Sequence, residues 1–304
     1  MNKPLITFLT GVTLLLGGCA QYQPNPVITT NQTELPKLAN VSYASLLSLP
    51  YTDNSLKLQY GESTLQYGRL YLPQTAHIQT TSQTKAPLVV FIHGGCWLNA
   101  YDISHSRAFS QAVAAQGFAV WSLEYRRIGD EGGGWPGSLH DVLQGLSFVK
   151  NGLNGFVVDN TNIVIAGHSA GGQLALLAGG HSYVQPQATA LPAVKAVVGL
   201  AAITDMFAYA SGDNSCQRAT NQFMGGSPTE QPARYQQANP QQQRLHPATL
   251  LLHGSEDSIV PLTQASASGL SFKTITNAGH FDWIHPHTLA YKQFIETLQE
   301  LFAQ

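Results

Sequence analysis

The chain has 304 residues, which is enough for one large domain or two small ones. Hydrophobic residues make up 43% of it, so a sizeable core can form, whereas charged residues make up 11% and the net charge is −2. This balance provides no basic field for nucleic acid and no acidic tail, so no nucleic-acid partner is expected. It indicates a globular body that acts on an uncharged or weakly charged substrate.

The first 18 residues have the pattern of an exported leader. Lys3 gives a positive start, and residues 5–18 form an apolar run that is too short to cross a bilayer comfortably. The run closes with LGGC at residues 16–19, which resembles the lipobox of bacterial lipoproteins, where the cysteine is acylated and becomes the first residue. We predict a lipoprotein signal peptide over residues 1–18 and lipidation at Cys19; an ordinary secretory signal or an unprocessed leader is the alternative.

The residues after this cysteine predict a destination and a tether. In such lipoproteins an Asp at the next position favours the inner membrane, so Ala20 favours the outer membrane of a Gram-negative cell envelope. Residues 19–40 are polar and punctuated by proline, without an apolar period, and are predicted to be a tether. Residues 41–304 would then form the folded domain, held at the membrane by the lipid anchor.

Two further cysteines, Cys96 and Cys216, lie in the body. In a chain exported to an oxidising compartment, such a pair is a candidate disulfide. Two small buried thiols are the alternative, because the sequence does not show that the residues are close in space.

Apolar runs alternate with helical patterns along the body. The runs are rich in Val, Ile, Leu and Phe and nearly continuous, which is typical of parallel strands covered on both faces. They lie at residues 70–72, 87–93, 118–125, 162–168, 194–200, 247–253 and 272–276, with helical stretches at 104–115, 138–150, 173–178 and 287–302. The alternation predicts an open, mostly parallel sheet with helices on both faces. A less regular insert at residues 205–246 has the length of a lid or binding loop.

The strongest motif is GHSAG at residues 167–171, which an apolar strand enters and a helical stretch leaves. A serine on a sharp strand-to-helix turn projects its Oγ above the sheet, and flanking glycines remove Cβ atoms that would clash. The helix N-terminus behind it favours the negative charge of a developing oxyanion. Ser169 is therefore the candidate nucleophile.

Three other strands end in polar or glycine-rich turns. HGGCW at residues 93–97 places two glycines after a strand, where backbone N–H groups can face an oxyanion or form an ordinary turn. Asp257 follows the strand at 247–253, and His280 follows the last strand. Ligands of open α/β sheets bind outside the carboxyl ends of the strands, and the order Ser, Asp, His is that of nucleophile-elbow hydrolases.

Neighbouring residues compete for the same roles. Glu256 shares the turn of Asp257, and Asp282 would have to fold back onto the candidate histidine, so Asp257 is preferred as the acid. His93 and His253 each precede a glycine at a strand end and are interpreted as bracing the backbone. No cysteine or carboxylate at ligand spacing accompanies the histidines near the C-terminus, so no metal site is expected.

With these four motifs the chain resembles an α/β-hydrolase of the esterase and lipase superfamily. It is similar to the branch that carries HGGxW, which includes carboxylesterases of the hormone-sensitive-lipase type and kynurenine-formamidase-like enzymes. LEYRR at residues 123–127 also resembles a strand-to-loop junction of that branch, and the likeness extends from about residue 55 onwards. It implies an α/β-hydrolase fold, with a mostly parallel central sheet flanked by helices and a lid insert at 205–246 after the sixth strand.

The resemblance implies a Ser-Asp-His triad that cleaves carboxylic esters without a cofactor. Ser169 would attack the acyl carbon, His280 would take its proton and Asp257 would hold the imidazole. The substrate would be a small-molecule ester with a short-chain or aromatic group. An arylformamidase, a polysaccharide deacetylase-type activity and a catalytically inert surface binding lipoprotein are the alternatives.

The same resemblance implies an oxyanion hole made by the backbone N–H groups of Gly95, Cys96 and Ala170. Many relatives carry a third glycine where Cys96 stands; the N–H is retained here, but a Cβ is added. Aromatic residues near these loops suggest an apolar pocket, with core packing as the alternative for each of them. Trp97, Phe281 and Trp283 are the pocket residues we predict.

Overall fold

The computed structural model describes Met1 and residues 38–73, 85–184 and 191–304. The predicted leader, Cys19 and most of the predicted tether lie outside these ranges. Residues 36–304 form one unit of chain, which contains every element described below. Within the described ranges, no helix combines the length and the hydropathy needed to cross a bilayer.

The described residues contain an eight-stranded sheet with the strand order β1-β2-β4-β3-β5-β6-β7-β8. Its strands are β1 (Leu56–Gln59), β2 (Tyr67–Tyr71), β3 (Ala86–Ile92), β4 (Ala119–Leu123), β5 (Val158–His168), β6 (Ala196–Leu200), β7 (Thr249–Gly254) and β8 (Ser271–Ile275). The first two strands pair antiparallel, and the other six run parallel. The predicted mostly parallel sheet is confirmed, with β1 as an additional edge strand.

Helices flank this sheet and fill its connections. Among the described residues they are α1 (Tyr43–Leu47), α2 (Arg107–Ala115), α3 (Gly137–Gly152), α4 (Ala170–Val184), α5 (Met206–Ala210), α6 (Ser215–Met224), α7 (Pro232–Ala238), α8 (Thr263–Ser266) and α9 (Leu289–Ala303). Short 3₁₀ helices lie at Ile103–Ser106, Pro240–Gln242 and Asp282–Ile284.

The sheet is buried on both faces, and β3 shows why its strands are apolar without a break. Val90 and Ile92 pack into one hydrophobic core with side chains of α3 and α4. Val89 and Phe91, which point the other way, pack into a second core with side chains of α2 and α9. Because successive side chains of a strand alternate between faces, a strand with two cores needs apolar residues throughout.

Between β6 and β7 the chain forms the short helices α5, α6 and α7; we call residues 205–246 the helical insert. The carboxylate of Asp205 caps α5 by accepting from two backbone N–H groups. Asn214 and Gln217 form a capping box at the start of α6, which ends at Gly225 with a left-handed φ of 75°. Local caps thus replace apolar periodicity as the signal that defines these short helices.

Candidate active site

Ser169 lies on a tight turn between β5 and α4. Its φ is 56°, in the left-handed region that residues other than glycine rarely adopt. A Cβ on Gly171 would lie 2.2 Å from the carbonyl oxygen of His93, and a Cβ on Gly167 would lie 2.3 Å from the carbonyl oxygen of Gly171. Gly171 is therefore required for the turn to pack against the end of β3, and Gly167 is required for β5 to pack against the start of α4.

Asp257 and His280 meet at the same end of the sheet. Nδ1 of His280 donates to Oδ2 of Asp257 at 2.8 Å, and the backbone N–H groups of Ile259 and Val260 donate to Oδ1 at 2.9 and 2.8 Å. Burial of the Asp257 carboxyl group acts to raise its pKa, but His280, nearby His253 and the Val260 amide hold that pKa below its usual value. The carboxylate is therefore ionised and oriented towards His280.

His168, the variable residue of the serine motif, holds the histidine loop. Its Nε2–H donates to the backbone carbonyl of His280 at 2.9 Å, and the two rings lie 4.6 Å apart. Burial, followed by the charge of His280, lowers the pKa of His168 well below its usual value, so this ring stays neutral. The sequence offered no signal for this role, because the motif leaves that position open.

The loop after β3 has an unusual backbone. Gly95, Cys96 and Trp97 all have positive φ, at 115°, 53° and 57°. A Cβ on Gly94 would lie 3.1 Å from the Cβ of Ser169, so the loop runs directly beside the serine. The loop that carries two of the predicted oxyanion donors, Gly95 and Cys96, is therefore a neighbour of Ser169.

The third predicted donor, the N–H of Ala170, belongs to the first residue of α4. Amides in the first turn of a helix have no acceptor within the helix, and the helix dipole adds to their attraction for negative charge. Both properties suit the oxyanion role that is predicted for the Ala170 amide.

A buried network of polar and charged groups contacts the start of the loop after β3. Nε2 of His93 lies 3.0 Å from Oε1 of Glu124, and Nδ1 of His93 lies 2.7 Å from the carbonyl oxygen of Gly94. The other carboxylate oxygen of Glu124 accepts from the backbone N–H of Ile103 at 3.0 Å, and Arg127 lies 3.3 Å from Oε1. Burial acts to raise the pKa of Glu124, but His93 and Arg127 hold it below its usual value. This geometry gives His93 the bracing role predicted for it.

The predicted disulfide between Cys96 and Cys216 is confirmed, with the two Cα atoms 5.0 Å apart. It joins the loop after β3 to the first turn of α6 in the helical insert, across 120 residues of sequence. The residue that supplies a candidate oxyanion donor is therefore covalently fixed to the insert.

A cavity of about 180 Å³ opens at this end of the sheet. Ser169, His280 and the loop residues Gly95 and Cys96 all contribute to its lining. A space of this size is smaller than the roughly 300–1,000 Å³ of pockets for drug-sized ligands. The cavity can therefore hold a small chemical group next to Ser169.

The predicted pocket aromatics separate into two sets. Phe281 lines the cavity. Trp97 is fully buried, stacks on Phe223 at 4.6 Å between ring centroids and donates from Nε1 to Gln173. Trp283 is also fully buried, in the core on the other face of the sheet. The two tryptophans are core residues, which corrects their predicted place in the pocket wall.

Other aromatic residues take that place: Tyr43, Tyr101 and His105 line the cavity beside Phe281. Tyr101 was one of several loop aromatics with no distinguishing signal, and Tyr43 lies far from every catalytic motif in the sequence. Among the described residues, no cluster of three or more His, Cys, Asp or Glu side chains is arranged to hold a metal ion.

A nucleophile elbow, an Asp–His pair and a glycine-rich loop at the strand ends of this sheet define an α/β-hydrolase of the esterase and lipase class. The chain belongs to the BD-FAE family, whose family model matches residues 70–269.

Individual relatives agree with this family. The chain is 28% identical to "Esterase LipC" of Mycobacterium tuberculosis over 64% of its own length, and it spans about half, 53%, of that relative. Esterase B of Lactobacillus rhamnosis superposes with a TM-score of 0.69 at 19% identity, covering 86% of this chain and 90% of that one. A truncated carbohydrate esterase from gut microbiota superposes with a TM-score of 0.68 at 21% identity, covering 84% and 98%. The two superpositions show the fold.

Proposed function

We propose that the chain hydrolyses carboxylic esters through an acyl-enzyme on Ser169. The observation that carries this proposal is the 2.8 Å hydrogen bond between Asp257 and His280 beside the cavity that Ser169 lines. Because Nδ1 of His280 is engaged with Asp257, Nε2 is the nitrogen left to accept the serine proton. Family membership and relatives named as esterases support the same reaction class.

The reaction has two halves. Oγ of Ser169 bonds to the acyl carbon while its proton passes to His280, and the carbonyl oxygen becomes an oxyanion that the loop amides and the Ala170 amide stabilise. Collapse of the adduct breaks the ester C–O bond, and His280 returns the proton to the departing alcohol. Water then attacks the acyl-serine with His280 as base, which releases the acid and regenerates Ser169. Each oxyanion donor would contribute about 3–4 kcal/mol.

The cavity supports a small acyl or alcohol group. Its volume of about 180 Å³ exceeds the ~150 Å³ of an apolar cavity known to hold one benzene ring. Short-chain esters and esters with a single aromatic ring fit this space. A second candidate, an ester carried on a carbohydrate, is supported by the structural neighbours named carbohydrate esterase and "Bifunctional GH43-CE".

The first test is hydrolysis of p-nitrophenyl esters from acetate to long acyl chains, with Ser169→Ala as the control. We expect turnover that is highest with short chains and absent in the variant. Labelling by a fluorophosphonate that disappears in Ser169→Ala would identify the nucleophile directly. Turnover that survives in the variant, or a wild-type chain that neither turns over nor is labelled, would contradict the proposal.

Acetylated xylan and feruloylated oligosaccharides extend this test to the carbohydrate candidate. Labelling without turnover of simple esters, together with release of acetate or ferulate from these substrates, would assign the carbohydrate class. Release from N-formylkynurenine alone would instead assign an arylformamidase.

We also propose that the chain is lipid-anchored through Cys19 in the cell envelope, at the outer membrane. The lipobox-like residues 16–19 support this, and a disulfide in the body suits an oxidising compartment. We expect Cys19→Ser to move the protein from the membrane fraction to the soluble fraction and to abolish incorporation of labelled palmitate. Unchanged fractionation would contradict the anchor.

A further inference from the structure

An N-terminal segment packs beside the catalytic histidine. The backbone N–H groups of Asn40 and Val41 each donate to the carboxylate of Asp282 at 2.7 Å, one to each oxygen. Asp282 lies two residues after His280 and is 1% exposed. Both of its carboxylate oxygens are therefore engaged by this segment, residues 38–47, which we call the strap.

Two further contacts fix the start of the strap. Leu38 forms a parallel β-bridge with Thr288, just before α9. A Cβ on Gly279 would lie 2.2 Å from the side-chain oxygen of Asn40, so the strap and the residue preceding His280 are in close contact. The strap thus begins within the last three residues of the predicted tether.

The strap carries an aromatic ring into the cavity wall. Tyr43, the first residue of α1, lies with its ring centroid 5.5 Å from that of Tyr101, 5.6 Å from that of Phe281 and 5.8 Å from that of His105. All four residues line the cavity that contains Ser169. Such centroid distances are typical of favourable aromatic contacts.

The strap contributes little to the hydrophobic core. In α1 the only buried residue is Leu46, while Leu47 is 59% exposed. A helix of five residues is also too short to be stable by itself in water. Besides the packing of Leu46 and the contacts of Leu38 and Asn40, the strap is held by the Asp282 hydrogen bonds and the aromatic cluster, through which it adds Tyr43 to the cavity wall.

We propose that the strap supplies one side chain to the active site, with Tyr43 as a specificity-determining residue and Asp282 as the positioning residue that holds the strap. This inference rests on the proposed ester hydrolysis, since it concerns which groups reach Ser169. The Tyr43 ring closes one side of a cavity of about 180 Å³, so it sets an upper limit on the group that fits. Removing the ring opens that side without changing the triad.

The test compares Tyr43→Ala, Tyr43→Phe and Asp282→Asn in the full-length chain, with Leu47→Ala as the matched control on the same helix. The measured quantity is kcat/KM over two series, p-nitrophenyl esters of increasing acyl length and acetate esters of increasing alcohol size. Thermal unfolding of each variant checks that the fold is kept. The series that responds also shows whether the acyl or the alcohol group contacts Tyr43.

We expect Tyr43→Ala to shift the large-to-small substrate ratio by at least ~10-fold in one series, in favour of the larger group. Asp282→Asn should shift the same ratio in the same direction, because its amide nitrogen cannot accept a strap N–H. Tyr43→Phe keeps the ring and should therefore show the wild-type ratio of large to small substrates. Leu47→Ala should also leave this ratio unaltered.

Ratios within twofold of wild type for both Tyr43→Ala and Asp282→Asn, in variants that still unfold cooperatively, would overturn the inference. This outcome differs from failure of the proposed function. In that case the wild-type chain and Leu47→Ala would themselves show no hydrolysis that depends on Ser169.

Discussion

The two sides of the cavity are built differently. On the side formed by the sheet, the residues proposed to react follow strand ends, and buried hydrogen bonds to carboxylates hold this region, such as those of Asp257 with His280 and of Glu124 with His93. On the covering side, the strap and the helical insert are held by aromatic contacts, one disulfide and the carboxylate of Asp282. The catalytic geometry thus depends on the framework of the sheet, and the shape of the cavity depends on segments added to it.

The largest effect expected on the sheet side is that of His280→Ala. Loss of the base should lower kcat by roughly 10⁴–10⁶-fold, because a triad member is removed, while the thermal unfolding midpoint changes little. The measurement is p-nitrophenyl acetate hydrolysis beside exposed His287→Ala, which should behave as wild type. Full activity of the His280 variant would mean that the triad assignment is wrong.

Replacement of Glu124, which contacts His93 at the start of the loop after β3, should have the next largest effect on kcat. Glu124→Gln replaces a buried carboxylate that faces His93, Arg127 and the N–H of Ile103, so we expect kcat to fall by roughly 10²–10³-fold with little change in KM. Glu131→Gln, on the exposed surface nearby, is the control.

Because Glu124→Gln also removes a buried charge, a milder variant separates catalysis from folding. Tyr125→Phe deletes only the hydroxyl that donates to the carbonyl oxygen of His93 at 2.9 Å. Loss of this hydrogen bond should cost about 1 kcal/mol, which corresponds to a roughly fivefold decrease in kcat. A folded Tyr125→Phe or Glu124→Gln enzyme with unchanged kcat would show that the loop does not depend on this network.

On the covering side, the double variant Cys96→Ser/Cys216→Ser should lose about 2–5 kcal/mol of unfolding free energy. We expect kcat to fall only severalfold, because the serine, the acid and the base remain in place. Dithiothreitol should reproduce both effects in the wild-type chain and have none in the double variant. Two titratable thiols in the untreated folded body would contradict the cross-link.

The last effect expected is a dependence of stability on pH. Burial lowers the pKa of His105 to about 3 and that of His168 well below its usual value, so the folded chain keeps both rings neutral. The unfolded chain takes up protons on both rings as the pH falls below ~6.5, so the free energy of unfolding decreases with decreasing pH.

Thermal unfolding between pH 7 and pH 5 measures this decrease. We expect His168→Gln to flatten the dependence and exposed His287→Gln to leave it as in the wild type. An unfolding midpoint that rises as the pH falls through this range would show that the buried rings are charged in the folded state.

The difference between the two sides of the cavity also explains which features could be predicted from the sequence. The parallel strands and the residues of the proposed triad follow local patterns, since each of these three residues comes after an apolar run. The short elements β1, α1 and the helices of the insert have too few residues for a clear period, and they escaped prediction.

Supporting roles also escaped prediction, because they join residues that are distant in sequence. The bond from His168 to the carbonyl of His280 spans 112 residues, and the bond from Asn40 to Asp282 spans 242. Trp97 is predicted in the pocket wall because its loop lies beside the serine, but its ring is fully buried and stacks on Phe223 in the core. A pattern of residue types shows which residues can react, whereas such distant contacts emerge only once the chain is folded.

Cys96 belongs at once to the loop beside Ser169 and to the bond with Cys216. A newly made molecule whose thiols are still reduced would therefore lack part of what fixes that loop. We expect such molecules to be severalfold weaker hydrolases than molecules that carry the disulfide. Full activity would then come only with formation of the disulfide, which under the proposed export would follow transfer to an oxidising compartment.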